Sequence, residues 1–229
     1  MYIHRIYGIF YMGSEIMAKL YFKYGAMGCS KSAQALMCKF NYEQKGFNVL
    51  LLKPSIDTRD YSDGKSVVRS RIGIQSECEV LGKEDSLLSL YKKLSENKRF
   101  DVVIIDEAQF CTESQINDCK EISVDIPVIC YGLKTNFKSY LFEGSKRLIE
   151  IADSITEIKS LCSCGANATV NARMVNGELV TEGEEIVIGG DETYVAMCYT
   201  CWRKLQRETE AMKNQLHLSL DDMTSLIEK

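Results

Sequence analysis

The segment that most restricts the fold of this chain is the octapeptide Gly25-Ala26-Met27-Gly28-Cys29-Ser30-Lys31-Ser32. Ahead of it, Leu20-Tyr21-Phe22-Lys23-Tyr24 reads as a buried strand. Behind it, residues 31–44 carry helical spacing and stop at Gly46. A glycine turn that joins a strand to a helix and ends in Lys-Ser resembles the phosphate-binding pattern G-x-x-x-x-G-K-[ST]. In that pattern backbone N–H groups at the helix N-terminus cradle phosphates, the lysine reaches the terminal phosphates and the hydroxyl coordinates Mg²⁺. Ser30 stands where the pattern has its second glycine, so a β-carbon occupies a position that serves close phosphate approach. A plain strand–turn–helix connection with an incidental Lys-Ser is the alternative for this segment taken alone.

The alternation continues downstream. Residues 48–52 form a second strand ended by Pro54, and 57–73 are polar and glycine-punctuated, as in a long loop. Residues 84–97 have Leu87, Leu88, Tyr91 and Leu94 at helical spacing, and 101–105 form a continuous apolar run. A helix over 114–123, a strand over 127–131 and a helix over 137–151 complete the series. Strand and helix in this rhythm predict an α/β fold, a mostly parallel sheet flanked by helices on both faces. Asp106-Glu107 then falls at the C-terminal end of a buried strand, where such sheets place ligand chemistry. Asp106 suits an acid that holds Mg²⁺, and Glu107 a base for an acceptor hydroxyl. A polar strand end that caps the next helix is the competing reading.

After Ile158 the pattern changes to short β-like runs bounded by Cys162-Ser163-Cys164 and Cys198-Tyr199-Thr200-Cys201. Two close pairs about thirty residues apart supply the four thiolates of a closed, structural zinc site; two disulfides or reactive thiols are the alternatives. The other six of the ten cysteines lie in apolar or mixed stretches, as small buried hydrophobes do. No export signal and no apolar run of about 20 residues is evident, which points to a cytoplasmic protein that does not span a membrane. The net charge of −4 argues against a broad nucleic-acid-binding face, though a zinc-ribbon nucleic-acid module remains a rival reading. Residues 1–16 read as an extension, with Met17 the expected natural start.

Taken in order, the loop from Gly25 to Ser32, Asp57-Thr58-Arg59, Asp106-Glu107-Ala108-Gln109-Phe110, the stretch from Tyr131 to Phe137, the paired cysteines and Ile188-Gly189-Gly190 through Tyr194 resemble the zinc-containing, tetrameric thymidine kinases over roughly residues 18–205. From the residues themselves, the charged, amphipathic end reads as a helical or partly ordered tail over 206–229, and 1–17 as an extension. The resemblance implies a P-loop NTPase (RecA-like) domain over 18–158 and a zinc-ribbon or lasso domain over 159–205. It implies phosphoryl transfer from ATP to the 5′-hydroxyl of thymidine, with Glu107 as base and Lys31, Ser32 and Asp106 handling ATP and Mg²⁺. Arg59 would stabilise transferred charge, and Gln109 belongs with the cofactor residues. Phe110, Leu133, Phe137 and Phe142 would line the thymine pocket, closed by Glu185, Ile186, Val187, Ile188 and Gly189 with Tyr194. A homotetramer, feedback inhibition by the thymidine triphosphate and a structural zinc whose loss weakens thymidine binding more than ATP binding are further implications. Ser30 keeps open a relative that binds nucleotide but turns over poorly. From the residues alone, 185–194 also suit an ordinary β-hairpin.

Overall fold

The computed structural model describes residues 19–56, 61–62, 65–183 and 194–212. The extension 1–17, Arg59, the residues Glu185, Ile186, Val187, Ile188 and Gly189, and the tail beyond 212 lie outside the described residues.

β1 (Leu20–Tyr24) passes through the glycine turn into α1 (Lys31–Glu43), and β2 (Val49–Pro54) follows. The stretch 57–73, expected as a loop, contains β3 (Tyr61–Ser62) and β4 (Lys65–Arg69), which make a small antiparallel sheet with β5 (Gln75–Glu77). The cause is Val67-Val68: both are buried, and Val68 packs with Ala35 and Leu36 of α1. One apolar pair in polar surroundings is too short to show a period.

Next come β6 (Glu79–Leu81), α2 (Leu87–Ser95), β7 (Val102–Ile105), a single 3₁₀ turn at Ala108–Phe110, α3 (Glu113–Ile122) and β8 (Val128–Gly132). α4 (Glu143–Ile151) begins six residues later than its apolar spacing suggests. Asn136 explains the delay: its Oδ1 accepts from the N–H groups of Lys138 and Tyr140, both at 3.0 Å, and draws the chain into a turn instead of a helix. β9 (Ser154–Glu157), too short and polar to stand out in the sequence, adds a strand beside β1.

The main sheet has six strands in the order β6-β2-β7-β8-β1-β9. Every neighbouring pair is parallel, so the expected mostly parallel sheet is parallel throughout. Alternate residues feed two cores. Leu20, Phe22, Leu52, Val103, Ile105 and Cys130 pack on the side of α3 and α4, with Ile116 and Leu148; Leu51, Val102, Ile104, Ile129 and Tyr131 pack on the side of α1. Burial on both faces is why these strands read as continuous apolar runs.

Beyond β9, β10 (Val170–Val175), β11 (Glu178–Leu179) and β12 (Tyr194–Met197) form an antiparallel sheet in the order β11-β10-β12, and residues 199–212 are helical. Among the described residues no helix is long and apolar enough to cross a membrane.

Candidate active site

The parallel order fixes where the candidate residues meet. The phosphate loop leaves β1, the acid pair leaves β7, and β8 lies between them. Adjacent strands sit about 4.8 Å apart, so the first residues past β1 and β7 are within roughly 10 Å. Register levels the three ends: Ile105 lies opposite Cys130, and Gly132 opposite Tyr24.

Within the loop, Gly25 admits no β-carbon, because one would stand 2.5 Å from Cys29 Sγ and collide with the Ile158 carbonyl. Lys31, the first residue of α1, is buried and folds back, its Nζ donating to the carbonyls of Gly25 at 3.2 Å and Ala26 at 3.0 Å. Gly28 has φ +77° and Ser30 has φ 64°, ψ 30°. Ser30 thus adopts the left-handed backbone that glycine serves in the phosphate pattern, which keeps the loop's shape at a steric cost. Its exposed side chain makes no hydrogen bond to cap the helix.

Asp106 is buried, and Ser32 and Lys31 of the loop lie near enough to favour its charged form, which sets the glycine loop beside the acid pair. Its Oδ1 has no hydrogen-bond partner among the described residues. Burial, then the neighbouring Glu107 charge, push Asp106 up to about 7 against the pull of Ser32 and Lys31. A buried carboxylate with an open oxygen beside a helix-terminal serine offers oxygen ligands of the kind Mg²⁺ takes together with waters and phosphates.

Glu107 also has a left-handed backbone, at φ 53°, ψ 36°. Gln109 Nε2 donates to its Oε2 at 2.5 Å, while Gln109 Oε1 accepts from the Leu133 N–H at 2.9 Å. Gln109 therefore braces Glu107 against the segment after β8. Gly132 makes room for that brace, since a β-carbon there would lie 2.7 Å from Gln109 Oε1. Beside it the rings of Phe110 and Phe142 meet edge to face at 5.7 Å. Phe137 is buried, with the Arg173 guanidinium over its face at 5.5 Å. Tyr194 on β12 pairs with Arg173 on β10, which brings the predicted Tyr194 toward the Phe137 side. Arg173 and its strand neighbour Asn171 escaped the sequence reading; the signal available was two polar residues at alternate positions of a short apolar strand.

Cys162, Cys164, Cys198 and Cys201 converge so that their sulfurs all lie within 4.8 Å of one another. A tetrahedral ion with Zn–S bonds of about 2.3 Å spaces its sulfurs by about 3.8 Å, so the cluster is compatible with zinc. All ten cysteines are free thiols. Backbone N–H groups of Cys164 and Cys198 lower the Cys162 thiol to about 6, and the sulfurs crowding Cys201 raise it to about 12. Cys162 and Cys198 also pack against Ala26 of the phosphate loop.

A parallel sheet flanked by helices, with a glycine loop that resembles the phosphate-binding pattern and an acid pair on strands either side of a third, places the chain in the α/β class. Comparison with known sequences narrows this class: the model of the family described as thymidine kinase matches residues 18–202. The chain belongs to the thymidine kinase family. It is similar to a thymidine kinase of Rhodopirellula baltica, 43% identical over 185 residues, which are 80% of this chain and 86% of that protein. It is also similar to one of Enterobacteria phage T4, 42% identical over 195 residues (84% and 99%), and to one of Legionella pneumophila, 40% identical over 204 residues (87% and 96%).

Proposed function

We propose that this chain transfers the γ-phosphate of ATP to the 5′-hydroxyl of thymidine. The observation that supports this reading best is the placement of the glycine loop after β1 and the acid pair after β7, on either side of β8 and at level strand ends, in a member of the thymidine kinase family.

In this reading the N–H groups around Gly28, Cys29 and Ser30 hold the phosphates, and Lys31 exchanges the loop carbonyls for the terminal phosphate. Ser32 and Asp106 would hold Mg²⁺, which when bound neutralises the phosphate charge. Glu107, braced by Gln109, takes the proton as the 5′ O–H bond breaks. The 5′ oxygen forms the new bond to the γ-phosphorus, and the bond from that phosphorus to the β–γ bridging oxygen breaks to leave ADP. Such reactions depend mainly on positioning and charge neutralisation, which suits a site of braced side chains.

Phe110, Leu133, Phe137, Phe142 and Tyr194 are proposed to hold the base, with Glu185, Ile186, Val187, Ile188 and Gly189 completing the pocket and Arg59 meeting the transferred phosphoryl group. The sheet is proposed to be of the RecA-like P-loop type over 18–158. The cysteine cluster is proposed to hold a structural zinc ion in a lasso domain over 159–205. A cytoplasmic homotetramer inhibited by the triphosphate end product follows the same kinship. The test is Mg²⁺-dependent transfer of labelled γ-phosphate from ATP to thymidine by the purified chain; absence of labelled thymidine monophosphate would reject the proposal.

A further inference from the structure

β10 carries one buried polar side chain between two buried apolar residues: Asn171 is 4% exposed, flanked by Val170 and Ala172. Its Oδ1 accepts from the Met27 N–H at 2.8 Å, and its Nδ2 donates to the Thr135 carbonyl at 3.2 Å. One amide thus ties together the phosphate loop after β1, the segment after β8 and the strand that follows the first cysteine pair. Two nearby contacts reinforce the same junction. Gly25 N–H donates to the Gly132 carbonyl at 3.3 Å, and Ala26 packs with Cys162, Ala168 and Cys198. A buried amide with both ends satisfied has a defined orientation, and removing it strands a donor and an acceptor away from water.

We propose that Asn171 is a positioning residue for phosphoryl transfer. By fixing Met27 of the phosphate loop to Thr135 of the pocket segment, it sets the reach between the γ-phosphate and the acceptor hydroxyl. The proposal rests on the kinase reading above. Transfer of this kind is governed by placement of the reacting atoms, so a small drift of the loop costs turnover more than it costs affinity.

The experiment combines steady-state kinetics with amide hydrogen exchange at Met27, measured by NMR on the full chain. The Met27 amide of the native protein is expected to exchange slowly. Asn171→Leu, close in volume but without hydrogen bonds, is expected to speed that exchange and to lower kcat by about tenfold or more, with both KM values within roughly threefold. Asn171→Asp keeps the acceptor for Met27 but has no donor for Thr135, so it should retain slow exchange at Met27 and still lose turnover. A role in overall stability alone would not separate these two readouts. Fast exchange at Met27 in the native protein overturns the proposal, as does a folded Leu variant with native kcat. If the Leu variant does not fold, native kcat in the Asp variant overturns it instead. A native protein with a slow Met27 amide but no thymidine phosphorylation counts against the kinase reading, and the exchange data keep the two failures apart.

Discussion

Three residues at the C-terminal ends of the central strands have roles that a substitution would expose. Glu107 has a left-handed backbone and a carboxylate held by Gln109, so Glu107→Gln should keep the local shape while removing the base. Turnover is expected to fall by about 10²–10⁴-fold with ATP affinity retained, as read by single-turnover kinetics and calorimetric titration. Ser30, at φ 64°, is strained where glycine is at ease, and its side chain contributes no cap. Ser30→Gly is predicted to raise unfolding stability by about 1 kcal/mol in urea, the left-handed penalty less the added freedom of the unfolded chain. Asp106 gives a pH signature. Its folded value of about 7 exceeds the ordinary 3.8, so the folded state holds this proton more tightly. The resulting stability is present below pH 4 and is lost as pH rises through about 7. Urea unfolding at pH 5 and pH 8 should therefore show a decline that Asp106→Asn reduces, and added Mg²⁺ should stabilise the native protein more at pH 8.

Segments behave by the same logic. α3 is opened by a capping box in which the Thr112 hydroxyl accepts from the Gln115 N–H and Gln115 Oε1 accepts from the Thr112 N–H. Thr112→Ala should cost about 1 kcal/mol by chemical unfolding without changing KM, since neither group reaches the site. The cysteine cluster differs, because Cys162 and Cys198 share one buried apolar cluster with Ala26 of the glycine loop. Chelation is predicted to lower the melting temperature and to weaken ATP as well as thymidine binding. An effect confined to thymidine would mean that this contact transmits nothing. These elements were unequally legible. The buried strands β1, β2, β7 and β8 announced themselves as apolar runs, as did the acid pair that ends one of them. β4 and β9 did not, being short and mostly polar, and the start of α4 was hidden because Asn136 bends the chain through side-chain bonds that no period reveals.

For the chain as a whole, the phosphate loop, acid pair and cysteine quartet could each be picked out by local spacing, but their meeting could not. That depends on β8 lying between β1 and β7 and on two bridges across sequence distance, Gln109 to Leu133 and Asn171 to Met27 and Thr135. Gln109 was recognised only as part of a motif, and its bracing role follows from the fold; Asn171 was missed because a single asparagine in a short strand has no spacing to betray it. The assembled site sets a braced Glu107 beside the buried Asp106 and Lys31, and fixed placement is what transfer by positioning demands. Its most direct test compares the native chain with Glu107→Gln in the transfer of labelled γ-phosphate from MgATP to thymidine, with ATP binding measured on both. The account predicts labelled thymidine monophosphate from the native protein, about 10²-fold less or lower still from the variant, and equal ATP binding. Equal turnover by the two proteins would contradict it.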